Sequence, residues 1–215
     1  MKYVKMLGLA AVAAVALMAF VGASSASATV LCTTPGTGTP TGTTCPAGQA
    51  KLAGTTIHAV LDPGVVAKLT TTFKNIECNK STVSGTTANE GSASETVHGA
   101  VEVLTFEECN CEVVVIEKGE LEIHWIEGTH NGTLTSKNAK VTASCSTVFG
   151  NVHCIYSTGT GTDLGTLTGG EPSTMDIAEN NIPRLATNGL CAEKANWDAK
   201  YEVTEPIDLY VTGHT

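Results

Sequence analysis

Residues 96–125 read TVHGAVEVLTFEECNCEVVVIEKGELEIHW, and how this stretch folds decides the class of the whole chain. It is rich in β-branched and aromatic residues, and its apolar positions alternate with period two, the pattern of half-buried strands. Val97, Val101 and Val103 hold one phase, while Leu104 and Phe106 hold the other. A phase switch within one strand calls for a bulge or a turn at that point. Cys109 and Cys111 are too close in sequence for an easy mutual bridge, so each is expected to reach a different distant partner. The chain is then expected to fold back through Glu117-Lys118-Gly119-Glu120.

Outward from this centre, the same signals repeat. On the C-terminal side Leu121, Ile123 and Trp125 alternate with Glu120, Glu122 and His124, an apolar face against an acidic one. Asn131-Gly132 is tight-turn chemistry. Val141, Ala143 and Cys145 form a strand face, and a turn at Phe149-Gly150-Asn151 brings back Val152, Cys154 and Tyr156. That turn would set Cys145 opposite Cys154, the pairing the sequence favours most. Ala199–Thr204 and Ile207–Thr212 read as closing strands.

On the N-terminal side, a strand is expected over Gly54–Leu61, ended by the turn residues Asp62-Pro63-Gly64. A longer one follows over Val65–Ile76, in which Ala67, Leu69, Thr71 and Phe73 share a face. The fold class is therefore all-β, with ten to twelve short strands expected as an antiparallel Greek-key sandwich or jelly roll stapled by disulfides.

Lys2 and Lys5 precede an apolar run from Met6 to Val21 and the small residues Ala26-Ser27-Ala28. This is the layout of a secretory signal peptide over residues 1–28. Removing 28 residues from 215 leaves 187 and keeps all eight cysteines, Cys32, Cys45, Cys78, Cys109, Cys111, Cys145, Cys154 and Cys191. An even count in an exported chain implies a disulfide framework, and the paired Cys-x-x-Cys spacing of a zinc site is absent. Residues 29–53 are Thr-, Gly- and Pro-rich and are expected to be a leader or linker, closed locally if Cys32 bonds Cys45. Residues 54–215 form the domain.

Without Lys2 and Lys5 the chain keeps 10 of its 12 basic residues against 21 acidic ones, a net charge near −11. Such a surface repels phosphate backbones and anionic lipid, so nucleic acid and membrane are not expected partners of the mature chain. No nucleophile elbow, metalloprotease helix, P-loop or calcium loop occurs, and no cofactor is implied. His58, His98, His124, His130, His153 and His214 sit in no recognised motif, and Glu107-Glu108 with Glu112 reads first as edge protection and only second as a cation site. Trp197, between Asn196 and Asp198, is the one indole expected at the surface, where it would stack a sugar ring.

Val103-Leu104-Thr105-Phe106 with Cys109 and Cys111-Glu112-Val113, the Cys145 and Cys154-Ile155-Tyr156 hairpin, and Tyr201-Glu202-Val203-Thr204-Glu205-Pro206 with Leu209-Tyr210-Val211 resemble a widespread group of secreted, disulfide-containing β-proteins of soil bacteria with no assigned activity. The resemblance covers Gly54 to the C-terminus. It implies export and a stapled β-domain, and carries no catalytic residue. The expected function is a secreted, non-catalytic β-domain that works by surface contact with cell-wall or extracellular polysaccharide or protein. A carbohydrate-binding module is the alternative, and a secreted hydrolase a more distant one.

Overall fold

The computed structural model describes residues 28–72, 74–148, 150–185 and 190–214. Residues 1–27 of the expected signal peptide, Phe73, and Phe149 of the expected turn lie outside the described residues. The fourteen strands are β1 (Val30–Cys32), β2 (Thr56–Leu61), β3 (Ala67–Thr70), β4 (Asn75–Thr87), β5 (Val97–Cys109), β6 (Glu112–Glu117), β7 (Glu120–Trp125), β8 (Gly132–Lys137), β9 (Lys140–Thr147), β10 (Gly150–Ser157), β11 (Thr162–Thr168), β12 (Thr174–Pro183), β13 (Lys194–Glu205) and β14 (Tyr210–Thr212). The described residues contain no helix.

The main sheet runs β12-β11-β8-β7-β5-β4-β2-β13, and β13 pairs back onto β12. β3 continues β2: both lie antiparallel to β4 and β13, β2 against one half of each and β3 against the other, so together they make one interrupted stave. The result is a closed, all-antiparallel barrel of eight staves in which each stave neighbours the next one in sequence. This corrects the expected Greek-key sandwich or jelly roll: the chain is all-β and disulfide-stapled, but its edges are removed by closure, not by packing two open sheets face to face.

An eight-strand barrel has an interior just wide enough for side chains to fill. Leu61, Val97, Ile123, Leu134, Leu167, Tyr201 and Val203 are buried in one core cluster. The interior voids that remain are small, about 50, 60 and 40 Å³.

The phase switch at Val103-Leu104 is a real irregularity. Ser84 pairs with Val103 but Gly85 with Val101, so β5 carries one extra residue. Val101 and Leu104 both line the interior while Val103 is 40% exposed. The bulge sits where β4 bends against β5, and Gly85 is needed there because a Cβ would lie 2.2 Å from the Ala100 carbonyl oxygen.

A second sheet, β10-β9-β6, is inserted into the barrel sequence. β6 and β7 do not fold back on each other at Lys118-Gly119. They run on in the same direction against β9 and β8, with Glu117 facing Lys140 and Glu120 facing Lys137. The long ribbon kinks at Lys118-Gly119 on one strand and Asn138-Ala139 on the other, where Gly119 (φ 72°) and Asn138 (φ 59°) are both left-handed. The kink swings half of the ribbon out of the barrel wall and makes the three-stranded sheet. Its inner face, Val113, Val141 and Ala143, covers Leu69, Ile76 and Phe106 of the barrel.

Residues 29–53 are not a loose leader. Val30, Leu31 and Cys32 are buried, β1 pairs with β14, and Cys45 bonds Cys32. Leu31, Leu209 and Val211 join the barrel core, so this ribbon closes one mouth of the barrel.

Candidate functional site

All eight cysteines are bonded: Cys32–Cys45, Cys78–Cys109, Cys111–Cys145 and Cys154–Cys191. Cys109 and Cys111 do reach different partners. The expected Cys145–Cys154 bridge is not formed, because the hairpin register differs from the expected one. Thr147 pairs with Gly150, and Cys145 faces Val152. Moving a hairpin turn by one residue shifts the register by two.

The outward face of the three-stranded sheet is where chemistry-bearing side chains gather. Glu112, Ser144 and His153 stand side by side across β6, β9 and β10. Ser144 Oγ lies 2.8 Å from His153 Nδ1, and the Ser146 hydroxyl donates to Asn151 Oδ1 at 2.9 Å in the next row. Lys74, Asn110 and the Cys111–Cys145 disulfide complete a polar groove of about 560 Å³. Asn110 is fixed there: its side chain accepts from Glu77 N at 3.1 Å and donates to Asn75 O at 3.0 Å. Farther along the same face the row changes to Val114, Thr142 and Ile155, and exposed Ile116 falls at the register shift between Val115 and Glu117.

This arrangement offers hydrogen bonds and apolar contact, and it lacks the geometry of an acyl-transfer site. Glu112 is beside Ser144, on the side away from His153, and so does not orient the imidazole. The short contact uses the histidine nitrogen nearest the backbone, and the pair lies open to solvent.

The other histidines are dispersed. His58 Nδ1 meets Thr204 Oγ1 at 2.8 Å on the outer barrel wall. His124 is 3.5 Å from Glu122, which Lys137 also pairs at 2.7 Å. Partial burial pushes the Glu122 carboxyl up, but hydrogen bonds from Lys137 and Thr96 outweigh it and hold the group below the ordinary carboxylate range. His98 lies at the start of β5, where its N–H donates to Asn89 Oδ1. His130 stands edge-on to Tyr210, and His214 borders the groove beside Cys45. Glu108 pairs with Lys80 at 2.5 Å, so the acidic run is partly neutralised in place. Among the described residues no group of three or more His, Cys, Asp or Glu is set to hold a metal ion.

Trp197 is not a surface platform. It packs edge-on to Phe106, with centroids 6.0 Å apart and planes at 66°, and lines the interior. Trp125 is likewise held, its Nε1 donating to Thr129 O at 2.8 Å.

No family model, curated protein or solved structure matches this chain. The functional reading therefore rests on the residues themselves. What sequence reasoning missed is that Glu112, Ser144 and His153 share a row, since the register that aligns them depends on the kink and on the exact turn.

Proposed function

We propose that this chain is an exported, disulfide-locked barrel that acts at or outside the cell surface by non-catalytic contact, and that the outward face of the three-stranded sheet is the contacting surface. The observation that carries this reading is where exposed apolar side chains collect. Val114 and Ile116 on β6 are 47 and 50% exposed, and Ile155 on β10 shares the row of Val114 through Thr142. Clustered exposed apolar side chains rimmed by polar ones mark interaction surfaces. The barrel wall elsewhere presents Thr86, Glu102 and His58, whereas a lipid-facing barrel carries an apolar band. Export fits the signal-like N-terminus, the four disulfides and the resemblance to secreted soil-bacterial β-proteins.

The test is co-sedimentation of the oxidised protein with isolated cell walls, envelope fractions and insoluble polysaccharides. The double variant Val114→Lys/Ile116→Lys should lose about tenfold or more of the retention, while Trp197→Phe keeps it. Retention by no material, or retention indifferent to the double variant, contradicts the proposal. A second reading, glycan contact through the polar groove, is favoured by the side-chain amides and hydroxyls that line it. It predicts that Asn151→Ala with His153→Ala abolishes polysaccharide retention alone.

A further inference from the structure

Strand β6, Glu112-Val113-Val114-Val115-Ile116-Glu117, is the outer strand of its sheet. β9 pairs with one edge, and among the described residues no strand pairs with the other. The reason lies in the ribbon kink. β5 pairs with β7 only over Val97–Ala100, and Val101 N donates to Gly119 O at 3.0 Å. Beyond that bond β5 and β6 part, and the chain joins them again only through Asn110 and Cys111. A row of backbone amides and carbonyls is left open along β6.

Open edges of this kind template pairing with another chain, so proteins usually protect them with proline, a bulge, an inward-pointing charge or brevity. β6 has six residues, four of them consecutive Val or Ile, with no proline or glycine. Its protection is an acid at each end and a register shift between Val115 and Glu117, which leaves the regular part of the open edge to Glu112–Val115. We infer that the β6 edge is a strand-addition site for an extended protein segment whose apolar centre is bracketed by basic residues. In such pairing main-chain hydrogen bonds give affinity and alternate side chains give specificity. Here Val114 and Ile116 would meet the apolar centre, and Glu112 and Glu117 the flanking cations. Glu117 already shows the preference, since it holds Lys140 across the ladder. Glu107 at the end of β5 adds to the same field, as does the mature net charge near −11.

A second copy fits poorly. In the antiparallel register that uses all six residues, Glu112 faces Glu117 of the other molecule at both ends, and like charges directly opposite are destabilising. The inference rests on the contact reading above and names the class of partner.

The test uses the oxidised protein and a fluorescent probe, Lys-Thr-Val-Thr-Val-Thr-Val-Lys, followed by anisotropy. Two counterparts isolate the causes: one flanked by Glu, and one N-methylated at alternate amides, which keeps charge and side chains but loses the ladder. Expected are saturable binding of the Lys probe, a loss of about tenfold or more for each counterpart, and the same loss with Val114→Lys/Ile116→Lys. Equal binding of the N-methylated probe would reduce the effect to charge attraction and overturn the inference, as would no binding of the Lys probe. A dimer in sedimentation velocity that the double variant abolishes would also overturn it, by giving the edge to a second copy. The N-methylated probe needs no variant, so the test stands even if the double variant does not fold. If that variant loses envelope retention while the Lys probe fails, strand addition alone falls. If retention never depended on this face, the contact reading falls with it.

Discussion

Tyr201 shows how a single side chain couples the barrel to its sequence. It is fully buried, and its hydroxyl sits 2.9 Å from Ser81 Oγ, which also donates to Thr105 O at 2.7 Å. Burial pushes the Tyr201 phenol up to about 12, against the smaller opposing effect of the Ser81 hydrogen bond. The unfolded chain ionises this phenol near pH 10, so the stability it carries is complete below that pH and is lost as pH rises toward 12. Of order 2–3 kcal/mol should disappear over that window, and denaturant melts at pH 9, 10 and 11 would show it, with Tyr201→Phe flattening the fall. Gly119 makes a second prediction. At φ 72° a Cβ would lie 2.2 Å from Lys137 O and 2.5 Å from Ala139 N, so Gly119→Ala should cost about 1–3 kcal/mol in the same melts. At this scale the inward placement of Trp197 is legible in the sequence. Ala195, Trp197, Ala199, Tyr201 and Val203 share one phase of β13. Extending the inward phase of Tyr201 and Val203 back by four residues places Trp197 inside; the polar neighbours Asn196 and Asp198 hid this by resembling a loop.

Among the elements, the three-stranded sheet depends on its staples. Cys111–Cys145 ties β9 to the point where the chain leaves β5, closing a loop of 34 residues in sequence separation. Replacing both cysteines by serine should cost about 2–4 kcal/mol by the chain-entropy argument. The barrel ladder should survive by far-UV circular dichroism while the 112–117 amides lose exchange protection. The cross-strand pair Cys78–Cys109 lies within the β4–β5 ladder, where register already holds the strands together. The existence of strands β2, β7, β9, β10 and β13 followed from alternation, and so did the bulge in β5. Strand β4 followed only in part: a short edge strand is legible over Ser81–Thr87, but alternation through Leu69, Thr71 and Phe73 reads as one strand up to Ile76, whereas Thr71 caps a turn by accepting from Lys74 N at 3.3 Å and donating to Lys74 O at 2.6 Å. The short polar side chain at Thr71 outcompetes the strand there, a local effect that a period-two count does not register.

At the scale of the molecule, closure is the feature least visible in the sequence. It rests on pairing β13 with β2 and β12, so Val203 meets Ala59 across some 140 residues of chain. Alternation reports which face of a strand is buried; it is silent on whether the sheet curls shut or packs on a second sheet, because both bury one face. Closure pairs each stave with the next, while the ribbon kink leaves β6 and the second half of β5 unpaired on their facing edges among the described residues. The same geometry sets Val114 in one outward row with Thr142 and Ile155, next to exposed Ile116, and the account of function depends on that face. The measurement that tests it most directly is amide hydrogen exchange on the oxidised protein while it is retained on the material that sediments it. New protection confined to residues 112–117 and the facing β9–β10 rows is the predicted result. Protection gained instead on the outer barrel wall around His58 and Thr204, with the 112–117 amides unchanged, would contradict it.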